Sequence, residues 1–435
     1  MTALTHRRVL RIAAPIVLSN ATVPILGAVD TGVVGQLGEA APIAAVGVGA
    51  VILSAVYWIF GFLRMGTTGL AAQALGRGDE AELTALLTRA LIVAGAAGLA
   101  LIAVQRVLFA AAFGLSPATT EVEAMARTYM SIRIWSAPAA IAVYGLTGWL
   151  IAQERTGAVL GLQLAMNGAN IALSVALGLR MGWGVEGVAS ATVVAEWGGA
   201  ALGLWFCRDA LRHPAWRDPA RVFDGPRLRR MIAVNADIMI RSVLLQGTFT
   251  SFLLSGGAFG DVTLAANQVL LQFLYITAYA LDGFAFAAEA LVGRYFGAGD
   301  RARLRRTVLM CGGWGLGTVA ALAILFALAG GAVVDAMAAD EGVREAARRY
   351  LPWMVAAPIL GVAAWMLDGV FIGATRSRDM RNMMILSFAV YVAALLVLVP
   401  PFANHGLWAA LMVSFVARGA TLGARYPALE RAAHA

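Results

Sequence analysis

Asp30 has the clearest capacity for proton or cation chemistry, because it lies in an apolar stretch, PILGAVDTGVVGQLG, with no basic residue beside it. Burial without an adjacent cation favours the neutral acid, so a proton can bind and leave under physiological gradients. Pro24, six residues earlier, removes a backbone donor and crowds the preceding turn, which creates a place for a helix to bend. The pattern predicts a coupling device. The alternative is a structural Asp held by hydrogen bonds.

A second group of polar side chains follows helical spacing inside two apolar segments. It consists of Gln163, Asn167, Asn170 and Ser174, at steps of four, three and four, followed by Thr192 and Glu196 one turn apart. An ionisable group inside a membrane span costs about 2.5 to 3.5 kcal/mol on insertion scales. We therefore expect Glu196 to be buried, either protonated or paired.

A longer polar stripe runs along the eighth apolar stretch, residues 262–284, and just beyond it. Its members are Gln268, Gln272, Tyr275, Tyr279, Asp282 and Glu289, at steps of four, three, four, three and seven on one helix face. Either these side chains bond neighbouring helices or they line a cavity. Asp282 and Glu289 are expected to be structural, because they approach an interface next to Arg294.

Asp237, Arg241 and Asp368 complete the ionisable candidates at membrane depth. Asp237 and Arg241 are four residues apart in NADIMIRS, a spacing that favours an internal ion pair. A working role for Asp237 stays open beside that structural one. Asp368 lies about 12 Å along the helix axis from the following basic loop. It is expected to serve a cation site or to cap the broken end of a helix at Gly369.

The composition determines what kind of element must carry these residues. Hydrophobic residues make up 60% of the 435 and charged residues only 13%, which lies outside the range of ordinary soluble domains. A membrane span needs about 20 apolar residues, and the chain contains about twelve such stretches. The expected fold class is an all-α integral membrane protein.

The basic residues predict how the chain is oriented. All 33 are arginine, and they concentrate before the first span, at 208–230, at 301–306 and at 376–381. Most of the opposite loops are neutral or acidic, so the positive-inside rule places both termini in the cytoplasm. The net charge of +8 therefore indicates topology and not nucleic-acid binding. The first apolar run is interpreted as a span and not as a removable signal peptide.

The chain also repeats itself at an offset of about 220 residues. GLAAQALGRGDEAEL returns as EALVGRYFGAGDRARL, and GWLIAQERTG aligns with GVFIGATRSR. Six spans per copy predict two six-helix bundles related by a pseudo-twofold axis along the membrane normal, which is typical of transporters with a path between two lobes. The expected boundaries are 1–207 for the N-lobe, 208–230 for a cytoplasmic linker and 231–435 for the C-lobe.

Several of these segments resemble the multidrug and toxic compound extrusion (MATE) transporters, and more closely their DinF-like branch. AAPIVLSNATVPILGAVDTGVVGQLG is similar to the family's first helix, and NADIMIRS to the start of its seventh. LDGFAFAAEALVGRYFGAGD is similar to the eighth helix and the following loop, and LDGVFIGAT to the tenth. The resemblance spans nearly the whole chain. It implies a drug and metabolite antiporter that alternates between outward and inward openings, driven by protons or sodium ions.

The resemblance also implies a cation-coupling cluster in the N-lobe. Asp30 matches the family's first-helix Asp, whose protonation or ion binding is thought to bend that helix at the position of Pro24. Asn170 and Thr192 match the fifth-helix and sixth-helix members of the cluster. The family often has a second Asp one turn after the Asn, whereas this chain has Ser174.

The missing carboxylate bears on the coupling ion. The cluster keeps one formal negative charge, or two if Glu196 reaches it. A lone buried Asp suffices for a proton, whereas a sodium site usually benefits from several oxygens and more negative charge. Proton coupling is therefore favoured, and sodium is kept open through Asp237 and Asp368.

Neutral or acidic stripes suit small amphipathic, cationic substrates. We expect a monomer in the bacterial cytoplasmic (inner) membrane, with no nucleic-acid partner. No cofactor is expected, and sodium is the one metal ion kept open as a ligand. The alternatives are a lipid-linked oligosaccharide flippase of the same superfamily, a sodium-coupled antiporter and a membrane-embedded enzyme. An enzyme is disfavoured because all four His lie in predicted loops or tails and no catalytic motif is present.

Overall fold

A computed structural model describes residues 3–22, 32–33, 35–36, 40–114 and 119–433, and every regular element in those ranges is helical. Ten helices there are long and apolar enough to cross a membrane. The predicted twelve spans include a first span that extends outside the described residues. They also include two spans that the structure joins in one helical run, Ser377–Ala432, broken at Ala403 (φ 47°, ψ −127°). The predicted all-α integral membrane class is confirmed.

The N-terminal unit comprises residues 18–71 and 79–229. Its helices are α2 (Ala40–Ile59), α3 (Phe62–Arg77, which belongs to this unit as far as residue 71), α4 (Glu80–Gly114), α5 (Thr120–Arg133), α6 (Ala137–Ala152), α7 (Thr156–Leu173) and α8 (Gly184–Phe206). The helix α7 continues as a π-helical segment, Ser174–Arg180. Each long helix follows from an apolar run, because backbone groups in lipid must be bonded within the segment.

In the segment predicted as a cytoplasmic linker, 208–230, the short helical turns Ala210–Arg212, Pro214–Arg217 and Pro219–Val222 pack on α4. The buried guanidinium of Arg89 donates to the carbonyl oxygens of Arg221 at 2.6 Å and Val222 at 2.8 Å. Thr88 Oγ1 donates to the carbonyl oxygen of Trp216 at 2.9 Å. Satisfied backbone acceptors explain why this arginine-rich stretch is ordered.

The C-terminal unit comprises residues 230–435, residues up to 17 and residues 72–78. Its helices are α1 (His6–Ala21, which belongs to this unit as far as residue 17), α9 (Gly225–Gly257, which belongs to it from residue 230), α10 (Asp261–Gly297), α11 (Arg301–Met337), α12 (Glu341–Gly373) and α13 (Ser377–Ala432). This division differs from the predicted lobe boundaries at α1, at residues 72–78 and at residues 208–229. The predicted eighth span, 262–284, is also longer in the structure, since α10 continues to Gly297.

The internal repeat is visible in two matching turns, the first of which contains a Gly-Asp pair. Gly78 has φ +71° and Gly299 has φ +68°, a left-handed conformation that glycine adopts without steric cost. The aspartates that follow, Asp79 and Asp300, each accept a hydrogen bond at 2.9 Å from the backbone N–H three residues on. Each side chain thereby caps the start of the next helix.

The second matching turn ends a helix in each copy. Glu154 and Thr375 have φ of 63° and 50°, which is uncommon for residues other than glycine. The arginine that follows each of them donates its backbone N–H to the carbonyl five residues earlier, at 2.9 Å for Arg155 and 3.0 Å for Arg376. The alignment of GWLIAQERTG with GVFIGATRSR therefore corresponds to one backbone conformation used twice.

Glycines hold α10 and α12 in close contact. A Cβ atom built on Gly369 would lie 2.5 Å from the carbonyl oxygen of Ala285, and one on Gly373 would lie 2.5 Å from that of Glu289. A Cβ on Gly293 would lie 3.0 Å from the carbonyl oxygen of Gly373. Small residues four apart are the usual means of bringing membrane helices to backbone contact. This crossing positions the two helices that carry most of the C-terminal candidate residues.

The break at Ala403 is stabilised by a buried amide pair. Asn404 Nδ2 donates to Asn267 Oδ1 at 3.0 Å, and Asn267 Nδ2 donates to Asn404 Oδ1 at 2.8 Å. Trp408 Nε1 donates to the same Asn267 oxygen at 2.9 Å. A non-glycine residue at positive φ costs about 1 to 3 kcal/mol, and these bonds join α10 to the first turns after the break.

Candidate functional site

Three polar side chains of the N-terminal unit meet at one amide oxygen. Ser174 Oγ donates to Asn170 Oδ1 at 3.1 Å, and Thr192 Oγ1 donates to the same atom at 3.3 Å. None of the three residues is more than 4% exposed. Hydroxyl groups rotate and can present either a proton or a lone pair. This cluster, named here the Asn170 cluster, is therefore neutral and able to donate or accept.

The backbone changes conformation at the same point. The segment Ser174–Arg180 is π-helical, and such wider turns often occur at functional sites. A Cβ on Gly187, in the first turn of α8, would lie 2.8 Å from the carbonyl oxygen of Leu177. The close approach of α8 to the π-helical segment brings Thr192 toward Ser174.

The first two polar positions of α7 belong to a different set of bonds. Gln163 Nε2 donates to Asn167 Oδ1 at 3.2 Å, and Asn167 Nδ2 donates to Thr22 Oγ1 at 2.9 Å. Thr22 follows α1 and donates to the carbonyl oxygen of Ser19 at 2.7 Å. The predicted polar line on α7 is therefore split between an anchor at Asn167 and the Asn170 cluster.

Glu196 is paired with an arginine of α5. Arg133 Nη2 lies 3.2 Å from Glu196 Oε1, and the two side chains are 11% and 16% exposed. The other carboxylate oxygen, Oε2, has no hydrogen-bond partner among the described residues. Of the two expected states, the pair is the one observed, so the charge of Glu196 is compensated by Arg133 and is not shared with the Asn170 cluster.

Asp30 and Pro24 lie outside the described residues. Proton or ion binding at Asp30 and helix bending at Pro24 therefore stay predictions from the sequence.

The predicted ion pair between Asp237 and Arg241 is wrong. Asp237 Oδ1 accepts from Arg381 Nη1 at 2.6 Å, and Asp237 Oδ2 accepts from Ser377 Oγ at 2.8 Å. Both partners belong to α13. Residues four apart on a helix are neighbours, but side-chain direction decides which groups meet, and here the Asp237 carboxylate bonds to another helix.

The partner of Arg241 is Asp368, which also overturns the expectation of a helix cap. The helix α12 continues without a break to Gly373, so Asp368 caps nothing. Its Oδ2 atom accepts from Arg241 Nη2 and, at 2.6 Å, from Arg418 Nη2. Two guanidinium groups on one carboxylate give a net charge of +1, which opposes cation binding at this position.

The polar stripe of α10 divides into two parts. Gln268, Gln272 and Tyr275 are exposed, and Tyr279 is half-buried. These four side chains make no hydrogen bond to other described residues, so the interpretation as bonds between helices fails for them. An exposed polar line at membrane depth must face water or a bound molecule and not lipid. Glu289, in contrast, is 2% exposed, and Asp282 is half-buried.

A cleft adjoins the first part of this stripe. Its volume is about 420 Å³, and its lining includes Gln268, Gln272, Val269, Val343 and Asp340. That volume lies within the usual range of small-molecule sites, about 300 to 1,000 Å³. Apolar walls with two amides and one carboxylate suit a molecule that is partly apolar and polar at one end.

Sequence reasoning missed three arginines that hold the acidic candidates: Arg133, Arg381 and Arg418. Arg418 stands alone in the apolar run LMVSFVARGATLG, and an isolated ionisable residue in a span is itself a signal of a site. Its partner cannot be read from spacing, because Asp368 is 50 residues away. Within the described ranges, no group of three or more His, Cys, Asp or Glu side chains is arranged to hold a metal ion.

Many apolar helices, a tandem repeat and buried polar clusters in each half define a polytopic membrane transporter. The MatE family model matches residues 15–182 and again 238–398, one match in each copy of the repeat. The chain therefore belongs to the MatE family, whose members are transporters and not enzymes.

Curated relatives and solved structures agree with this assignment. The chain is 39% identical to the DNA damage-inducible protein F of Escherichia coli, over 95% of this chain and 90% of the relative. It is 28% identical to a probable multidrug resistance protein NorM of Deinococcus radiodurans, over 99% of this chain and 96% of the relative. The crystal structure of the Vibrio cholerae MATE transporter VcmN in its bent form superposes with a TM-score of 0.88 at 19% identity, covering 98% of this chain and 97% of that one.

Proposed function

We propose that this protein is a proton-driven efflux antiporter for small amphipathic cations that works by alternating access. On this proposal it acts as a monomer in a bacterial cytoplasmic membrane, with both termini in the cytoplasm. The observation that carries the choice of ion is that the position one turn after Asn170 holds Ser174, a neutral hydroxyl that donates to Asn170 Oδ1, instead of a second carboxylate.

The other acidic residues support the same choice. Glu196 is compensated by Arg133, Asp237 by Arg381, and Asp368 by two arginines. A sodium ion needs several oxygen ligands and is favoured by negative charge, whereas a proton needs one basic oxygen. Among the N-lobe candidates, Asp30 is then the acidic residue left to bind the coupling ion, and a single carboxylate matches one proton.

The exposed part of the α10 stripe supports the substrate class. Tyr275 and Tyr279 offer aromatic faces that attract organic cations, and Gln268 and Gln272 offer neutral hydrogen-bonding groups. A flippase for lipid-linked oligosaccharides would instead need a cationic surface for pyrophosphate. The stripe and its cleft carry no basic side chain among their described lining residues.

The test is efflux of ethidium from cells that lack their own efflux pumps. Expression should lower ethidium accumulation, and Asp30→Asn should abolish this effect without reducing the amount of folded protein. Asp261→Asn is the matched control, because Asp261 is the exposed first residue of α10 and should leave efflux intact. Normal efflux by the Asp30→Asn variant would refute coupling at Asp30.

Proteoliposomes separate the two ions. Ethidium transport should follow an imposed pH gradient and should not respond to an imposed sodium gradient at constant pH. Transport driven by sodium alone would refute proton coupling. If ethidium does not move under either gradient while a lipid-linked oligosaccharide is translocated, the flippase is correct.

A further inference from the structure

Two buried arginines meet at one carboxylate in the interior of the C-terminal unit. Arg241 of α9 and Arg418 of α13 are 6% and 4% exposed, and both donate to Asp368 Oδ2 of α12. Guanidinium groups stay protonated in proteins. The group formed by these three side chains, named here the arginine triad, therefore carries one uncompensated positive charge at a buried position.

The triad also has unused hydrogen-bond donors. Arg241 Nε and Arg418 Nε are buried, and neither has a hydrogen-bond partner among the described residues. A buried N–H group without an acceptor is unfavourable, and more so when it belongs to a charged group. One additional acceptor with negative charge would satisfy the donors and the charge together.

The nearest acidic residue along α9 does not supply this acceptor. Asp237, one turn before Arg241, uses its two oxygens for Arg381 and Ser377. With Asp237 and Arg381 counted as a neutral pair, the five charged side chains of this region still sum to +1. Neutralisation must therefore come from something other than these side chains.

We propose that the arginine triad binds one small monovalent anion of the halide type, with chloride as the physiological occupant. A single negative charge brings the triad to neutrality, whereas sulfate or another divalent anion would leave a buried negative charge. Low local polarity favours anions that lose their hydration water readily, so bromide should bind at least as tightly as chloride. The site shares no residue with the Asn170 cluster, and in it Asp368 holds the two arginines in place and limits the net charge to +1 instead of binding a cation.

Halide binding can be measured on the purified full-length protein without any transport assay. Thermal unfolding is followed in sodium bromide, chloride, sulfate and gluconate at one ionic strength, so that general salt effects are equal. Bromide and chloride should raise the melting temperature by roughly 2 °C in a saturating manner. Sulfate and gluconate should not. The chlorine NMR line of the same sample should be broadened by exchange of chloride with the protein site, and it should narrow again when excess bromide displaces the chloride.

Four variants distinguish the triad from other sites. Arg418→Gln and Arg241→Gln should lose the halide response. Arg301→Gln, which alters a surface pair with Glu430 at a 42% exposed side chain, should keep it. Asp368→Asn should strengthen the response several-fold, because removal of the carboxylate raises the charge of the site from +1 to +2.

The outcomes decide the proposal even if the arginine variants do not fold. Equal melting temperatures of the unaltered protein in bromide and gluconate would overturn it. A weaker halide response of Asp368→Asn would also overturn it, because the charge argument predicts a stronger one. A response to sodium at constant chloride that this variant abolishes would assign Asp368 to a cation site instead. These measurements are independent of ethidium transport, so failure of the proposed function would leave them interpretable.

Discussion

Replacing Gly369 by alanine tests the contact between α10 and α12. The added Cβ would lie 2.5 Å from the carbonyl oxygen of Ala285 and 3.1 Å from its carbonyl carbon, about 1 Å inside ordinary van der Waals contact. The neighbour is backbone and cannot rotate away, so the helices must separate. Overpacking of this kind costs about 1 to 3 kcal/mol, and the better helix propensity of alanine offsets up to about 1 kcal/mol of it.

The expected result is a lower melting temperature. Because the contact is with backbone, the upper part of the overpacking range applies, about 2 to 3 kcal/mol, and subtracting about 1 kcal/mol for helix propensity leaves about 1 to 2 kcal/mol. With about 2 to 4 °C per kcal/mol, Gly369→Ala should melt about 2 to 8 °C below the unaltered protein. Thermal unfolding in detergent, followed by intrinsic fluorescence and checked by gel filtration, measures the shift.

Gly317→Ala of α11 is the matched control, because a Cβ there meets nothing within 4 Å. This variant gains only the higher helix propensity of alanine and should melt at the same temperature as the unaltered protein or at a higher one. Gly373→Ala should act like Gly369→Ala, and the double variant should lose less than the sum, since one separation of the helices relieves both contacts. Equal melting of Gly369→Ala and Gly317→Ala would refute this account of the helix crossing.

Two further predictions concern Asp237 and Cys207. Arg381→Gln should destabilise the protein by about 1 kcal/mol, a modest value because this arginine is 31% exposed and screened, and Asp237→Asn should add little in that background. If Asp237→Asn instead destabilises the Arg381→Gln variant and has no effect on the stability of the Arg241→Gln variant, the observed pairing is wrong. Burial raises the pKa of the Cys207 thiol from 9.0 to about 12, so in a Cys311→Ala background it should resist iodoacetamide at pH 8 until the protein is unfolded. The neutral thiol stabilises the fold below pH 9, and this contribution is lost as the pH rises toward 12; rapid labelling of folded protein at pH 8 would contradict the assignment.

The helices were predictable because their causes are local. Apolar length indicated spans that the structure largely reproduces, and the Gly-Asp pairs at 78–79 and 299–300 indicated where helices end and begin. The difference is one of length, because α10 extends beyond the predicted span. The helix α10 continues to Gly297, and most residues of this extension are small or apolar and buried, so packing prolongs the helix beyond the predicted span.

The Asn170 cluster was predictable in membership but not in detail. Helical spacing brought Asn170 and Ser174 onto one face, and the family resemblance added Thr192. Spacing also placed Gln163 and Asn167 on the same line, yet these bond to each other and to Thr22. The two pairs of α7 residues have different partners because the segments that pack against one face of a helix change along its length.

The sequence by itself determined the membrane class, the internal repeat and the acidic candidates Glu196, Asp237 and Asp368, because hydrophobic length, turn chemistry and composition act within short segments. Only the tertiary structure decided how the charges are paired. Arg241 bonds to Asp368, 127 residues away, instead of Asp237, four residues away. Charge compensation in a low-dielectric interior acts between whichever groups the packed helices bring together, and that arrangement turned an expected cation site into a site of net positive charge.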